Sequence, residues 1–272
     1  RVRVGGVGWA CALTLLASLL LNALTILCPE GYYDTLVYHL GVPRSYLLHG
    51  RLGAVPFNAH QHTIGYWHMM YVWGLLLWDE VFCKVLHAGA GVLLVAATMT
   101  GAGLLAPAAS RAAGPPQRAG WMAGLLIGAA PVVCLSGWPA AAEMPTALFG
   151  ALCGIAAIRA AGCSPSPFQG EGGGEGLAWA RLAGIAGGLA LGTKYTGGLA
   201  VAASVAVLLA SRAWRPAAIV AGLSVAVASP WFVKNAVLTG NPVFPYLGGV
   251  FGLGGYAPND IARFIAATTE AP

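Results

Sequence analysis

Charged residues are what this sequence has least of: Asp, Glu, Lys and Arg together make up 8% of its 272 residues, against 58% hydrophobic ones. A water-soluble domain covers itself with charge. A chain with so little of it, a mean hydropathy of +0.73 and apolar runs recurring from end to end is a polytopic membrane protein. Spanning segments must satisfy their own backbone hydrogen bonds, which points to one all-α transmembrane helical bundle and leaves little room for a separate soluble domain. The pI of about 9.0 comes from Lys and Arg standing singly in short loops. They never form a stripe, so the charge balance reflects membrane topology and gives no sign of a nucleic-acid partner.

Other absences narrow the field further. The six cysteines, Cys11, Cys28, Cys83, Cys134, Cys153 and Cys163, show no CxxC spacing, and most sit in apolar runs that keep a thiol protonated and inert. They read as small packing residues. Arg1 and Arg3 precede an apolar stretch from Val7 to Cys28 that is too long for an ordinary signal-peptide core and lacks an A-x-A cleavage site, which makes it a retained anchor. GEGGGEG, at 170–176, is not GxxxxGK[ST], so it forms no phosphate-cradling loop. No repeat of fixed period is present. His60 and His62 are two apart, but no flanking Cys or HExxH completes a zinc set.

The apolar runs fall at 7–28, 81–105, 121–137, 144–160, 178–193, 196–211 and 216–233, giving seven expected crossings. Between the first two lies a polar and aromatic outer loop, 29–80. Its later half, HTIGYWHMMYVWGLLLW, reads as an amphipathic helix lying along the interface, with Trp67, Trp73, Trp78, Tyr66 and Tyr71 as an aromatic belt. AAGPPQR at 112–118 and the low-complexity stretch 162–177 read as flexible cytoplasmic linkers. With the N-terminus cytoplasmic, eight of the fourteen basic residues (Arg1, Arg3, Arg111, Arg118, Arg159, Arg181, Arg212 and Arg215) fall inside, on short segments. Seven acids, including Asp34 and Glu143, then lie outside, so the outer side of the cytoplasmic (inner) membrane is the expected working face. Residues 1–272 read as a single domain, and as a fragment lacking further C-terminal helices.

Four outward features follow one another along the chain: Asp34 in YYDTLVYHLGVPRSYLLHGR, Glu143 just before a Pro-initiated helix, Lys194 in GTKYTGG, and PWFVKN followed by TGNPVFPY. Together, over roughly residues 7–247, they resemble the GT-C membrane glycosyltransferases, in the branch of the protein O-mannosyltransferases and aminoarabinose transferases. The resemblance implies a seven-helix module, a sugar donor linked to a polyprenyl phosphate, a glycan, lipid or protein acceptor, and displacement with inversion at the anomeric carbon. Where the family often carries a DE or ED pair, Asp34 here stands with Thr35, and the second acid is Glu143 instead of Asp.

Such a reaction needs a base for the acceptor hydroxyl and cations for the departing phosphate. Asp34 is the candidate base, with helix N-capping as its structural alternative. Lys194 is the candidate phosphate contact, and Arg44 and Arg51 are further ones suited to bidentate binding. Glu143 has three candidate functional roles, orienting the acceptor, binding sugar, or sharing a divalent metal with Asp34, and capping the helix it begins is its structural alternative. Tyr38, His39 and Tyr195 complete the candidate substrate-binding set. No cofactor beyond that metal is indicated. The rival reading is a non-catalytic transporter or lipid-binding protein whose outer charges line a passage; the acids, however, sit at helix borders and no second half echoes the first, which favours the enzyme over the rival. A truncated, inactive family member is the third reading.

Overall fold

Helices occupy all seven apolar runs in the computed structural model, which describes residues 6–53, 58–63, 65–105, 116–162 and 173–269. In chain order these are α1 (Gly6–Ile26), α2 (Gly41–His49), α3 (Tyr66–Leu77), α4 (Glu80–Leu105), α5 (Pro116–Gly128), α6 (Pro131–Ser136), α7 (Glu143–Gly162), α8 (Gly173–Thr193), α9 (Gly197–Ala210), α10 (Trp214–Thr239), α11 (Gly248–Phe251) and α12 (Pro258–Thr269). A π-helical turn, Thr35–His39, precedes α2, and a 3-10 turn, Ala59–His62, precedes α3. No strand occurs among the described residues. Gly8–Ile26, Glu80–Leu105, Glu143–Gly162 and Trp214–Thr239 are each long and apolar enough to cross a bilayer unaided. α8 is long enough, but its glycines and Arg181 dilute its hydropathy, while α5 and α9 are shorter apolar helices.

Three local expectations are corrected. The run 121–137 is not one helix: it breaks between α5 and α6 because Pro131 lacks an N–H and holds Ala130 extended, at ψ 127. The linker at 162–177 is shorter than its composition suggests, since α8 begins at Gly173. Its first-turn Glu175 faces Arg159 of α7 at 3.5 Å and accepts from Trp179 Nε1 at 3.3 Å, which anchors the turn despite its glycines. The remainder of that stretch, 163–172 including Cys163, lies outside the described residues, as do Arg1, Arg3, Arg111 and most of 112–118. Finally, the aromatic belt divides. Trp73 and Trp78 are exposed, whereas Tyr71 is fully buried with its O–H donating to Ala141 O at 2.6 Å, and Tyr66 donates to Val227 O against Trp231.

Polarity is arranged inside out relative to a soluble fold. Lys84, His39, His68, His87, Gln61, Asn235 and Asn241 are buried, while Leu13, Leu16, Leu20 and Leu24 of α1 and Leu76 and Leu77 of α3 face outward. That is the pattern expected when the surrounding solvent is lipid.

The tightest packing unites α7, α8, α9 and α10 around Cys153, Ala156, Ala157, Ala160, Ala180, Ala183, Ala186, Leu208, Ala217 and Val220. Small residues let these backbones approach closely, as helices must when lipid offers no hydrophobic drive to pair them. At Gly188 a Cβ would lie 2.5 Å from Val227 Cβ and 2.8 Å from Ser224 O, so nothing larger fits. α4 lies against α7, and α5 against both α4 and α1, extending the cluster sideways. Gly188→Ala should therefore lower the thermal midpoint of the detergent-solubilised protein, overpacking costing about 1–3 kcal/mol. Gly222→Ala on α10, with nothing within 4 Å, should leave it unchanged or raise it through helix propensity, by up to ~1 kcal/mol.

Candidate active site

One end of the bundle collects the chain reversals, and side chains from several helices tie them together. Lys84 of α4, fully buried, donates to Thr25 O at 3.2 Å and Cys28 O at 2.8 Å, closing the C-terminus of α1. Glu30 accepts from Gly31 N and Tyr32 N with one oxygen and from Ala140 N at 3.2 Å with the other, joining the first loop to the segment before α7. His87 Nε2 accepts the Met144 N–H at 3.2 Å, satisfying an amide of the first turn of α7. From α10, Lys234 donates to Gln61 O and Asn235 to His62 O at 2.8 Å. The segments at 27–53, 58–63, 137–142, 194–196 and 240–256 thus share one end of the molecule.

Among them opens a cavity of about 320 Å³ lined by Tyr32, Asp34, His39, Leu135, Ser136, Trp138, Pro139, Ala141 and Glu143. Asp34 opens the π-helical turn in helical geometry (φ −61, ψ −38), and its side chain makes no capping hydrogen bond. The structural alternative for this residue is therefore not realised. Tyr38 stands beside it: burial, then the Asp34 carboxylate, push its phenol above the ordinary value. Its ring stacks on His60 with centroids 4.2 Å apart.

Glu143 presents one carboxylate oxygen to Ala142 N at 2.9 Å and the other to Lys194 Nζ at 2.7 Å. It holds the residue before its own helix and the lysine at once, placing Lys194 alongside the acid that lines the cavity. Lys194 gets there because α8 ends at Thr193 and α9 begins at Gly197, where a Cβ would lie 2.3 Å from Ala190 O; only glycine permits so tight a reversal.

The two candidate arginines are elsewhere. Arg44 is bound to Glu80 at 2.8 Å beside a separate recess, and Arg51 is exposed beyond the end of α2. Tyr195 turns from the cavity to the following turn, its O–H donating to Phe244 O at 3.0 Å and accepting from Asn235 Nδ2 at 3.2 Å. Asp34 and Glu143 line the same cavity, yet no three His, Cys, Asp or Glu side chains among the described residues are grouped to hold a metal.

A histidine pair backs the site. His39 Nδ1 lies 2.9 Å from His68 Nε2, the two rings stacked at 5.0 Å, and both residues are 2% exposed. His68 lies within HTIGYWHMMYVWGLLLW, where no motif marks it. Nothing in its spacing of 29 from His39 announces the contact. The backbone partners of Lys84 and His87 likewise emerge only in three dimensions.

A helical membrane bundle with an acid- and histidine-lined cavity at one end fits the class of membrane-embedded glycosyltransferases. The family profile for dolichyl-phosphate-mannose-protein mannosyltransferases, a GT-C family, matches residues 80–251, and the chain belongs to that family. The family is one of membrane mannosyltransferases that use a lipid-linked sugar donor. No curated protein and no solved structure matches the chain. The matched region carries Glu143, Lys194 and one wall of the cavity, while Asp34 and His39 precede it.

The loop histidines give the fold an acid limit. Burial lowers His39 from 6.5 to about 3, and burial followed by Lys234 lowers His62 to about 4. Once the pH is below 6.5 the unfolded chain takes up protons that the folded one refuses, so stability falls with pH until the folded groups titrate. The thermal midpoint in detergent should drop between pH 6.5 and 4, with a shallower slope in the His39→Gln/His62→Gln double variant.

Proposed function

We propose that this protein transfers a sugar, mannose by family, from a polyprenyl-phosphate carrier to a hydroxyl of a glycan, lipid or protein acceptor, with Asp34 as the general base. The observation that supports this reading is the shared cavity: Asp34 and Glu143 line the same space, and Glu143 holds Lys194 at 2.7 Å. A base and a cation are what the reaction needs close together.

In the proposed step the acceptor oxygen attacks the anomeric carbon as its proton passes to the Asp34 carboxylate. The bond from that carbon to the phosphate oxygen breaks, and its electron pair leaves with the polyprenyl phosphate. Inversion follows from a single displacement. Lys194 meets the departing phosphate, since it is the cation held beside the cavity while Arg44 is held by Glu80. Seven crossings with the N-terminus cytoplasmic would set the site on the outer side of the inner membrane, a reading that rests on the distribution of Lys and Arg.

The decisive assay measures transfer from radiolabelled polyprenyl-phosphate mannose into membranes containing the intact protein or its Asp34→Asn variant. Loss of a positioned base should lower the rate by about 10²–10⁴-fold at equal expression. Equal incorporation by both proteins removes Asp34 from the mechanism.

A further inference from the structure

The His39–His68 contact holds a proton whose position the surroundings decide. Both rings are almost sealed from solvent and neither forms an ion pair among the described residues, so burial disfavours a cationic imidazole, and the pair is neutral with one proton between the two facing nitrogens. His68 Nδ1 has no hydrogen-bond partner. If His39 donated, the second proton of His68 would sit on that nitrogen as a buried, unpaired N–H, the rare and costly case. If His68 donates from Nε2, its Nδ1 keeps only a lone pair, and the remaining proton of His39 lies on Nε2. His39 is among the residues that line the cavity, and Nε2 is the ring nitrogen that does not face His68.

We propose that His68 locks His39 as a neutral Nε2–H donor aimed into the cavity, where it binds an oxygen of the phospho-sugar head group. The carboxylates of Asp34 and Glu143 can only accept, and Lys194 gives one of its N–H groups to Glu143, so a neutral donor adds to what an oxygen-rich ligand needs without adding charge. His39 is thus a substrate-contacting residue and His68 a positioning residue that acts through it. The oxygen belongs to either the phosphate or a sugar hydroxyl. This assignment rests on the transferase reading for its ligand but not for its tautomer.

The test has two arms. In the first, the ¹⁵N spectrum of histidine-labelled protein in detergent, assigned with His39→Gln, should show His39 protonated at Nε2 and bare at Nδ1; His68→Leu should scramble that tautomer, and His68→Gln, whose amide can still donate, should restore it. A His39 protonated at Nδ1 overturns the proposal. In the second, His39→Leu should lower kcat/KM for the lipid-linked sugar about 10- to 100-fold. His68→Leu should fall with it, the double variant should be no worse than His39→Leu alone, and His68→Gln should recover activity. Unchanged transfer by His39→Leu, or additive losses, overturns it. Inhibition by free polyprenyl phosphate separates the two oxygens: weakened inhibition in His39→Leu assigns the phosphate, and unchanged inhibition with a raised KM assigns the sugar. Should the wild type transfer nothing, the transferase reading falls, and the spectrum alone still upholds or overturns the locked donor.

Discussion

A backbone that leaves its helix near membrane depth finds little water to pair with, and the end of this protein that carries the cavity is organised by that constraint. Several of the loops there are met by side chains reaching from other elements. Lys84 takes the last carbonyls of α1, Glu30 takes three amides from two loops, His87 takes an amide of the first turn of α7, and Asn235 takes His62 O. Asn241, fully buried, does the same within its own turn, donating to Tyr246 O and Gly252 O and accepting from Val243 N. These contacts cross between segments far apart in the chain, so they fix the loops to one another as well as to the helices. The segment that supplies one wall of the cavity is tied down this way: Ala140, Ala141 and Met144 are each held by a different element.

The same constraint sorts the few charges. Among Glu30, Asp34, Asp79, Glu80 and Glu143, four are taken up by structure: Glu30 by loop amides, Asp79 by Phe82 N, Glu80 by Arg44, and Glu143 by Lys194 and Ala142 N. Asp34 is the exception, lining the cavity with neither a cap nor an ion pair. A carboxylate that faces a cavity with the Tyr38 phenol acting on it, at a place where charge is costly to keep, is a structural reason to assign it chemistry.

Hydropathy made the bundle legible, since lipid-facing helices must be apolar over their length and the seven runs stand out against so little charge. Asp34, Glu143 and Lys194 were legible too, because an isolated charge in such a chain draws attention to itself. Partner choice was not. Arg44 has the same chemical claim on a phosphate as Lys194, and only the three-dimensional position of Glu80, 36 residues on, takes it away from the cavity. His68 lies on α3, whose outward face is all Met, Trp and Leu, so its composition suggests a surface helix and hides the buried histidine and tyrosine on the other side. The break at Ala130 was visible as Pro131, but hydropathy averaged over a window passes straight across it.

The Glu143–Lys194 pair suits a proposed reaction in which charge grows on the carrier. A polyprenyl-phosphate sugar is a phosphodiester with one negative charge; once the sugar leaves, the phosphate gains a second, shared with whatever proton it picks up. An unpaired lysine at the edge of the hydrocarbon would attract the ground state strongly and then release product slowly. Tethered to a carboxylate at 2.7 Å, its ammonium is partly neutralised toward the donor as it arrives and still has two N–H groups to offer. The attraction therefore increases as the bond to the sugar breaks, which is the condition for lowering the barrier and not merely tightening binding. Because both residues sit at helix ends fixed by the loop contacts, little reorganisation is needed as that charge develops.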